Sequence, residues 1–454
     1  MFYNLKKILF SATRKEMLLF LLYKVLLDIF YCIHYSLHYA YVAGDPNPNL
    51  YKLAVTWIFT AVIIVIVYYI SNNTLRFAVT MLIILSAEPT LTVFWVRDAN
   101  VSDTVQIMIY WIVFCLSAFV LSHSRAGRGR VCLPCIRNNF SVVSILFFWL
   151  LISTTYFSYK YGDFRLFVKF SDVYAYRMNK LNSMSGIEAY LYLWNSNLFL
   201  PLCMINHLNR KITLFITADV IIGMMIYGIY GNKYVIFQMV LVFAIWAFSH
   251  NELWRKTLDG AIIAGINVGI ILSYYLREKM FGVWVTAITY RLLFIPAEAH
   301  YYYFDFFHNQ EKLLLRQSVL RRFFQNPYSE QVSVLIGSNS KYNLTADYNN
   351  LNNGLVSDAY ANFGVVGVFI YPIVICAILL LYSCLMYKLN TATKNTLIAI
   401  YIIQVMGTSL FQTFITGGLL PAMGLLVLIN GSRQEQNNPG IMEVERRPAM
   451  KSQE

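Results

Sequence analysis

Residues 51–70 read YKLAVTWIFTAVIIVIVYYI, and Lys52 is the one charge among them. In a helix, twenty such residues rise about 30 Å, the thickness of a bilayer's hydrocarbon core. The run has no strict alternation of apolar and polar residues, which a half-buried strand would need. Backbone polar groups in lipid must find partners within their own segment, so a helix is the expected form. Apolar runs of similar length recur from Met17 to Asn430. Across the chain 58% of residues are apolar and only 13% are charged, too few to clothe a water-soluble surface. The expected fold class is an all-α polytopic integral membrane protein.

The net charge of +13 does not point to nucleic acid, because the basic residues fall in short connectors between apolar runs. Such a distribution sets orientation. Lys6, Lys7, Arg14 and Lys15 precede the first run, which continues to Val42 without a small-residue cleavage site, so it is expected to be an anchor with a cytoplasmic N-terminus. Further spans are expected near 51–70, up to Trp95, up to Ser122, 141–159, up to Arg210, 213–230, 234–248 and 258–276. Another lies before Lys388, and residues 396–430 form a closing hairpin broken at Gly417 and Gly418. That totals about twelve spans with both termini inside. Arg125, Arg128, Arg130 and Arg137 form the densest basic connector and fall on the inner side under this count. The expected organisation is one transmembrane domain over 1–430, with a smaller outer loop near 160–187 and a large one near 277–364. Residues 431–454 are expected to be a polar, disordered cytoplasmic tail.

Several groups have two readings. Lys24 and Asp28 lie one helical turn apart in the first span and are expected to pair. Glu88 precedes Pro89, where the side chain can bond to a backbone group that proline frees. Cys132 and Cys135 form a C-x-x-C without a second pair to complete a tetrahedral zinc site, so no metal is expected. Arg177, Lys233, Arg291, Arg316, Arg321 and Arg322 occupy outer segments, against the usual inward bias of cations. They could hold an anionic diphosphate or contact lipid headgroups. Leu313, Leu315, Val319, Leu320, Phe323 and Phe324 around three of these arginines suggest an amphipathic helix along the interface. Tyr290, Tyr301, Tyr302, Tyr303, Phe304, Phe306 and Phe307 could stack on sugars or form an interfacial aromatic belt. Asn349, Asn350, Asn352, Asn353 and Asp358 suit carbohydrate binding but are also ordinary loop residues. No phosphate-cradling glycine motif leads into a helix, so no nucleotide cofactor is expected.

Four stretches resemble the Wzy-type polymerases of O-antigen and other oligosaccharide repeat units. These are Asp172-Val-Tyr-Ala-Tyr-Arg177, Gly231-Asn-Lys-Tyr234, Arg291 with Pro296, and the segment Asn353 to Gly367 with Asp358, Tyr360, Asn362 and Gly364. Lys233 stands where relatives commonly carry arginine. The resemblance implies a metal-independent, inverting glycosyltransferase of the bacterial inner membrane with a site facing the periplasm. Its donor and acceptor would be undecaprenyl-diphosphate-linked oligosaccharides, and a separate chain-length regulator is an implied partner beside membrane lipids. Under that reading Arg177, Lys233 and Arg291 grip the leaving diphosphate. Asp358, His300 and Glu298 are the candidate proton acceptors, Asp358 first because its motif is the most specific. Tyr174, Asn353, Tyr360 and Asn362 would contact glycan. Rival expectations are a flippase for the same lipid, an O-antigen ligase, and a membrane protein without enzymatic activity.

Overall fold

The computed structural model describes residues 12–38, 45–124, 142–168, 176, 184, 186–250, 258–318, 323–338, 351–387 and 389–433. The basic connector around Arg128, the Cys132–Cys135 pair, Arg177, Tyr174, Asn349, Asn350, Arg321 and Arg322 lie outside them, as does the tail after Arg433. Among the described residues the structure is helical, without strands. Nine of its helices are long and apolar enough to cross a membrane.

The helices are α1 (residues 12–38), α2 (Leu50–Tyr68), α3 (Asn73–Val96), α4 (Val101–His123), α5 (Val142–Gly162) and α6 (residues 186–210). There follow α7 (Thr213–Tyr230), α8 (Lys233–His250), α9 (Leu258–Tyr275), α10 (Met280–His308), α11 (Val332–Gly337), α12 (Leu355–Leu385), α13 (Thr391–Gly407), α14 (Leu410–Ile415) and α15 (Leu419–Arg433). Polar residues before the apolar runs act as caps. The Asn49 side chain accepts from Tyr51 and Lys52, that of Asn72 from Leu75, and that of Asn100 from Ser102. Backbone bonds from Asn47 and Asn49 to the Val96 and Trp95 carbonyls then tie the α1–α2 connection to the end of α3.

Contacts divide the chain into two compact units. The first takes Met1–Gly129, Phe243–Ser383 and Lys394–Gly417; the second takes Arg130–Val242, Cys384–Thr393 and Gly418–Glu454. In the first unit α3 is the centre: the most apolar stretch of that helix is buried along its whole length. Its polar residues therefore face protein rather than lipid or water, and each needs a partner there.

The segment 277–364 differs from a loop with short amphipathic helices. Most of its first half is α10, 29 residues and about 43 Å long. Tyr290, Tyr303, Phe304 and Phe307, expected on a loop, are buried on this helix. Near its start Thr286 donates to the Ser273 carbonyl, and Tyr290 stacks with Tyr35. At its end His308 lies 2.7 Å from Asp103. Tyr35 is near the end of α1 and Asp103 near the start of α4, so both ends of α10 meet connections that alternating spans would place on one side. No amphipathic helix forms over 313–316, because Leu314 and Leu315 take left-handed backbone angles.

Two further boundaries differ from expectation. The closing hairpin breaks first after Gly407, where Ser409 caps α14, and again at Gly417 and Gly418. Helix α15 continues three residues past 430.

Candidate functional site

In the first unit, the segment from Asn353 to Gly367 is built around three side chains. Asn353 donates to the Pro296 carbonyl at 3.1 Å, lies 3.0 Å from His300 Nδ1 and 2.9 Å from Ser357 Oγ, and accepts from the Gly354 amide. The His300 ring spans two elements, with Nδ1 2.6 Å from Ser357 Oγ and Nε2 3.2 Å from Ser86 Oγ on α3. Asp358 sits in the first turn of α12. One of its oxygens accepts from Asn362 and the other from the Leu410 amide that opens α14, each at 2.8 Å. A carboxylate thus ties two elements that are 52 residues apart in sequence. Asn362 in turn accepts from the Leu315 amide at 2.8 Å, and its carbonyl accepts from Leu314.

The helix breaks at Gly364, whose backbone angles of φ 59° and ψ −140° are open only to glycine at low cost. Gly367 is needed for a different reason: a Cβ there would lie 2.1 Å from the Ala359 carbonyl oxygen. Lys312 fills the outside of the bend, its Cε 3.2 Å from where a Gly364 Cβ would stand. Its ammonium donates to the Phe307 carbonyl and lies 4.0 Å from the centre of the Tyr360 ring, which stacks on Phe304 at 3.9 Å. Burial holds Lys312 below its usual pKa range, so an anion placed against it would regain part of that loss. A cation beside a helix that starts afresh is a favourable seat for an anion.

Glu298 lies in a separate cluster. Tyr31 and Tyr290 donate to its two oxygens, each at 2.7 Å, and Arg97 is 3.5 Å away. Arg291 is exposed on α10. The three proposed proton acceptors, Asp358, His300 and Glu298, are therefore buried and bonded to different elements rather than gathered around one opening.

In the second unit, Lys233 opens α8 directly after the turn at Gly231, which has φ 65°. Tyr176 donates to the Gly228 carbonyl at 2.9 Å, and the Arg165 guanidinium lies 5.5 Å from its ring. Tyr176 and the end of α7 that leads into the turn at 231–234 are thus neighbours. Their proximity was not readable from a spacing of more than fifty residues. Glu188, with Tyr156, Tyr161 and Lys160, forms a further polar cluster in this unit.

Sequence reasoning missed Lys312, because a lysine in a loop carries no signal until the bend at Gly364 is known. It also missed that Glu88 joins Lys24 and Asp28. Instead of bonding to backbone beside Pro89, Glu88 lies 3.3 Å from Lys24 and 3.0 Å from Thr60. Among the described residues no cluster of histidine, cysteine, aspartate and glutamate could hold a metal ion. No protein-family model, curated protein sequence or solved structure matches the chain.

Proposed function

We propose that this membrane protein polymerises lipid-linked oligosaccharide repeat units, moving a glycan from undecaprenyl diphosphate to the terminal hydroxyl of a second lipid-linked unit with inversion at the anomeric carbon. The carrying observation is the bend at Gly364 with Lys312 against it, which sets a cation beside a fresh helix start inside the segment that carries the resemblance. In the transfer, the bond from the anomeric carbon to the diphosphate oxygen breaks while negative charge grows on the diphosphate. Donors placed in advance for that charge lower the barrier most. Lys312 and exposed Arg291 take this role in the first unit; Arg177 and Lys233 are the corresponding candidates in the second.

The proton leaving the acceptor hydroxyl needs a base. Asp358 is the carboxylate of the same segment, yet both its oxygens already accept hydrogen bonds. Each oxygen keeps a second lone pair, so Asp358 takes this proton and, through the bonds it already accepts, also positions the bend. Asn353 and Asn362 help to position the bend, and Tyr360 presents Lys312 rather than a bare ring face.

The topology that goes with this reading keeps 277–364 on one side; in support, α10 meets the end of α1 through Tyr290 and the start of α4 through His308, ends that alternating spans bring to one side. The membrane would be the bacterial inner membrane and the site periplasmic. A flippase would need its cations in a central passage, whereas the buried Lys24 and Arg97 both have carboxylate partners.

The test uses cells that depend on this chain for a surface polysaccharide. Lys312→Ala and Arg291→Glu should each lower polymer formation about 100-fold and leave glycans capped with a single repeat unit. A wild-type ladder in both variants, at normal protein level, rules the reading out. Loss of all lipid-linked repeat on the outer face would favour the flippase instead.

A further inference from the structure

Lys24, Asp28 and Glu88 meet inside the first unit, where α1, α2 and α3 pack together, and their side chains are 0%, 7% and 1% exposed. Lys24 Nζ lies 3.0 Å from Asp28 Oδ1, 3.3 Å from Glu88 Oε2 and 3.3 Å from Thr92 Oγ. One ammonium and two carboxylates would leave a net negative charge in an apolar interior, a costly arrangement within a membrane-spanning bundle.

The hydrogen bonds say where that charge is cancelled. Asp28 Oδ1 accepts from Lys24, from Thr92 at 2.7 Å and from Trp95 Nε1 at 2.9 Å, which is the environment of an ionised carboxylate. Its other oxygen is buried and has no hydrogen-bond partner, so no second donor is there to be shared. Glu88 is different. Thr60 Oγ is 3.0 Å from both Glu88 oxygens and 2.9 Å from the Thr56 carbonyl. A hydroxyl has one proton, and a backbone carbonyl can only accept. If Thr60 donates to Thr56, the proton between Thr60 and Glu88 must come from Glu88. Two further titratable groups face the cluster among the described residues: Tyr23, whose hydroxyl donates to the Ile84 carbonyl, and Cys32, one turn beyond Asp28 on α1.

We infer that Glu88 is a proton-binding site, holding one proton on Oε1, the oxygen not set against Lys24 and within reach of Thr60, with Lys24 and Asp28 as its charge-balanced frame. The ligand is a proton rather than a metal cation, because the Lys24 ammonium already occupies the cation position between the two carboxyl groups. Movement of α3 that parts Glu88 from Thr60 would remove the acceptor for this proton, so such movement is linked to proton exchange. The inference is independent of the glycosyl-transfer proposal.

The experiment uses the full chain in detergent. An infrared difference spectrum between wild type and Glu88→Gln should show a protonated-carboxyl carbonyl stretch that the variant lacks. In Thr60→Val the same band should persist at a shifted frequency, because its hydrogen-bond acceptor is gone. Thermal unfolding should leave Glu88→Gln within about 2 °C of wild type, since an amide can replace a neutral acid, while Asp28→Asn melts clearly lower. The inference is overturned if Glu88→Gln loses only ionised-carboxylate bands, if Thr60→Val leaves the acid band unmoved, or if Glu88→Gln falls as far as Asp28→Asn.

Discussion

Asp98, in the turn between α3 and α4, shows how a single residue couples this chain to pH. Lys52 lies 2.6 Å from it, and that bond holds the Asp98 carboxyl below its usual range. A carboxyl with a depressed folded pKa adds stability above the unfolded value, near 4, and loses it as pH falls through the lower folded value. The Asp98→Asn variant should therefore show a smaller drop in melting temperature than wild type below about pH 4. An equal drop in both would mean that this pair contributes nothing, as many exposed pairs do. Gly367 makes a second case at this scale. A methyl group there meets the Ala359 carbonyl at 2.1 Å, so Gly367→Ala should cost about 1–3 kcal/mol in thermal unfolding. The glycine was visible in the sequence, but the oxygen it must avoid was not.

At the scale of elements, α12 and α14 are joined by the bond between Asp358 and the Leu410 amide. Replacing Asp358 with asparagine gives its side chain an amide donor that faces the donating Asn362 nitrogen. Asn362 cannot turn to suit, because its own oxygen accepts from Leu315. The expected cost is about 1–3 kcal/mol, with faster hydrogen exchange at the Leu410 amide. Protection at Leu410 equal to wild type would show that the clasp is dispensable. Hydropathy made the apolar runs of α2, α3 and α4 legible, and the structure adds the asparagine that caps the start of each. Helix α10 was not, since the aromatic and charged residues of its sequence also suit an interfacial loop. Only its neighbours reveal which of those rings are buried.

For the whole molecule, the decisive quantity is the side of the membrane on which each connection lies. Helix α10 meets the end of α1 through Tyr290 and the start of α4 through His308, ends that alternating spans bring to one side, so single cysteines placed at Arg291 and at Asn309 should react with the same impermeant reagent from the same side. Opposite accessibility would make α10 a further crossing and reverse every later span. The apolar runs made the membrane character and most helix bounds plain, and the connector cations carried an orientation that labelling can check.

The sequence by itself determined that this is a helical membrane protein and where most of its apolar helices lie, because hydropathy acts over neighbouring residues. Tertiary structure decided which distant groups each buried charged side chain meets. Lys24 finds Glu88, Arg97 finds Glu298 and Asp358 finds Leu410 across 64, 201 and 52 residues respectively, counted from their positions in the chain. Such partners are chosen by packing in three dimensions, where burial makes an unpaired charge costly whatever its distance along the chain.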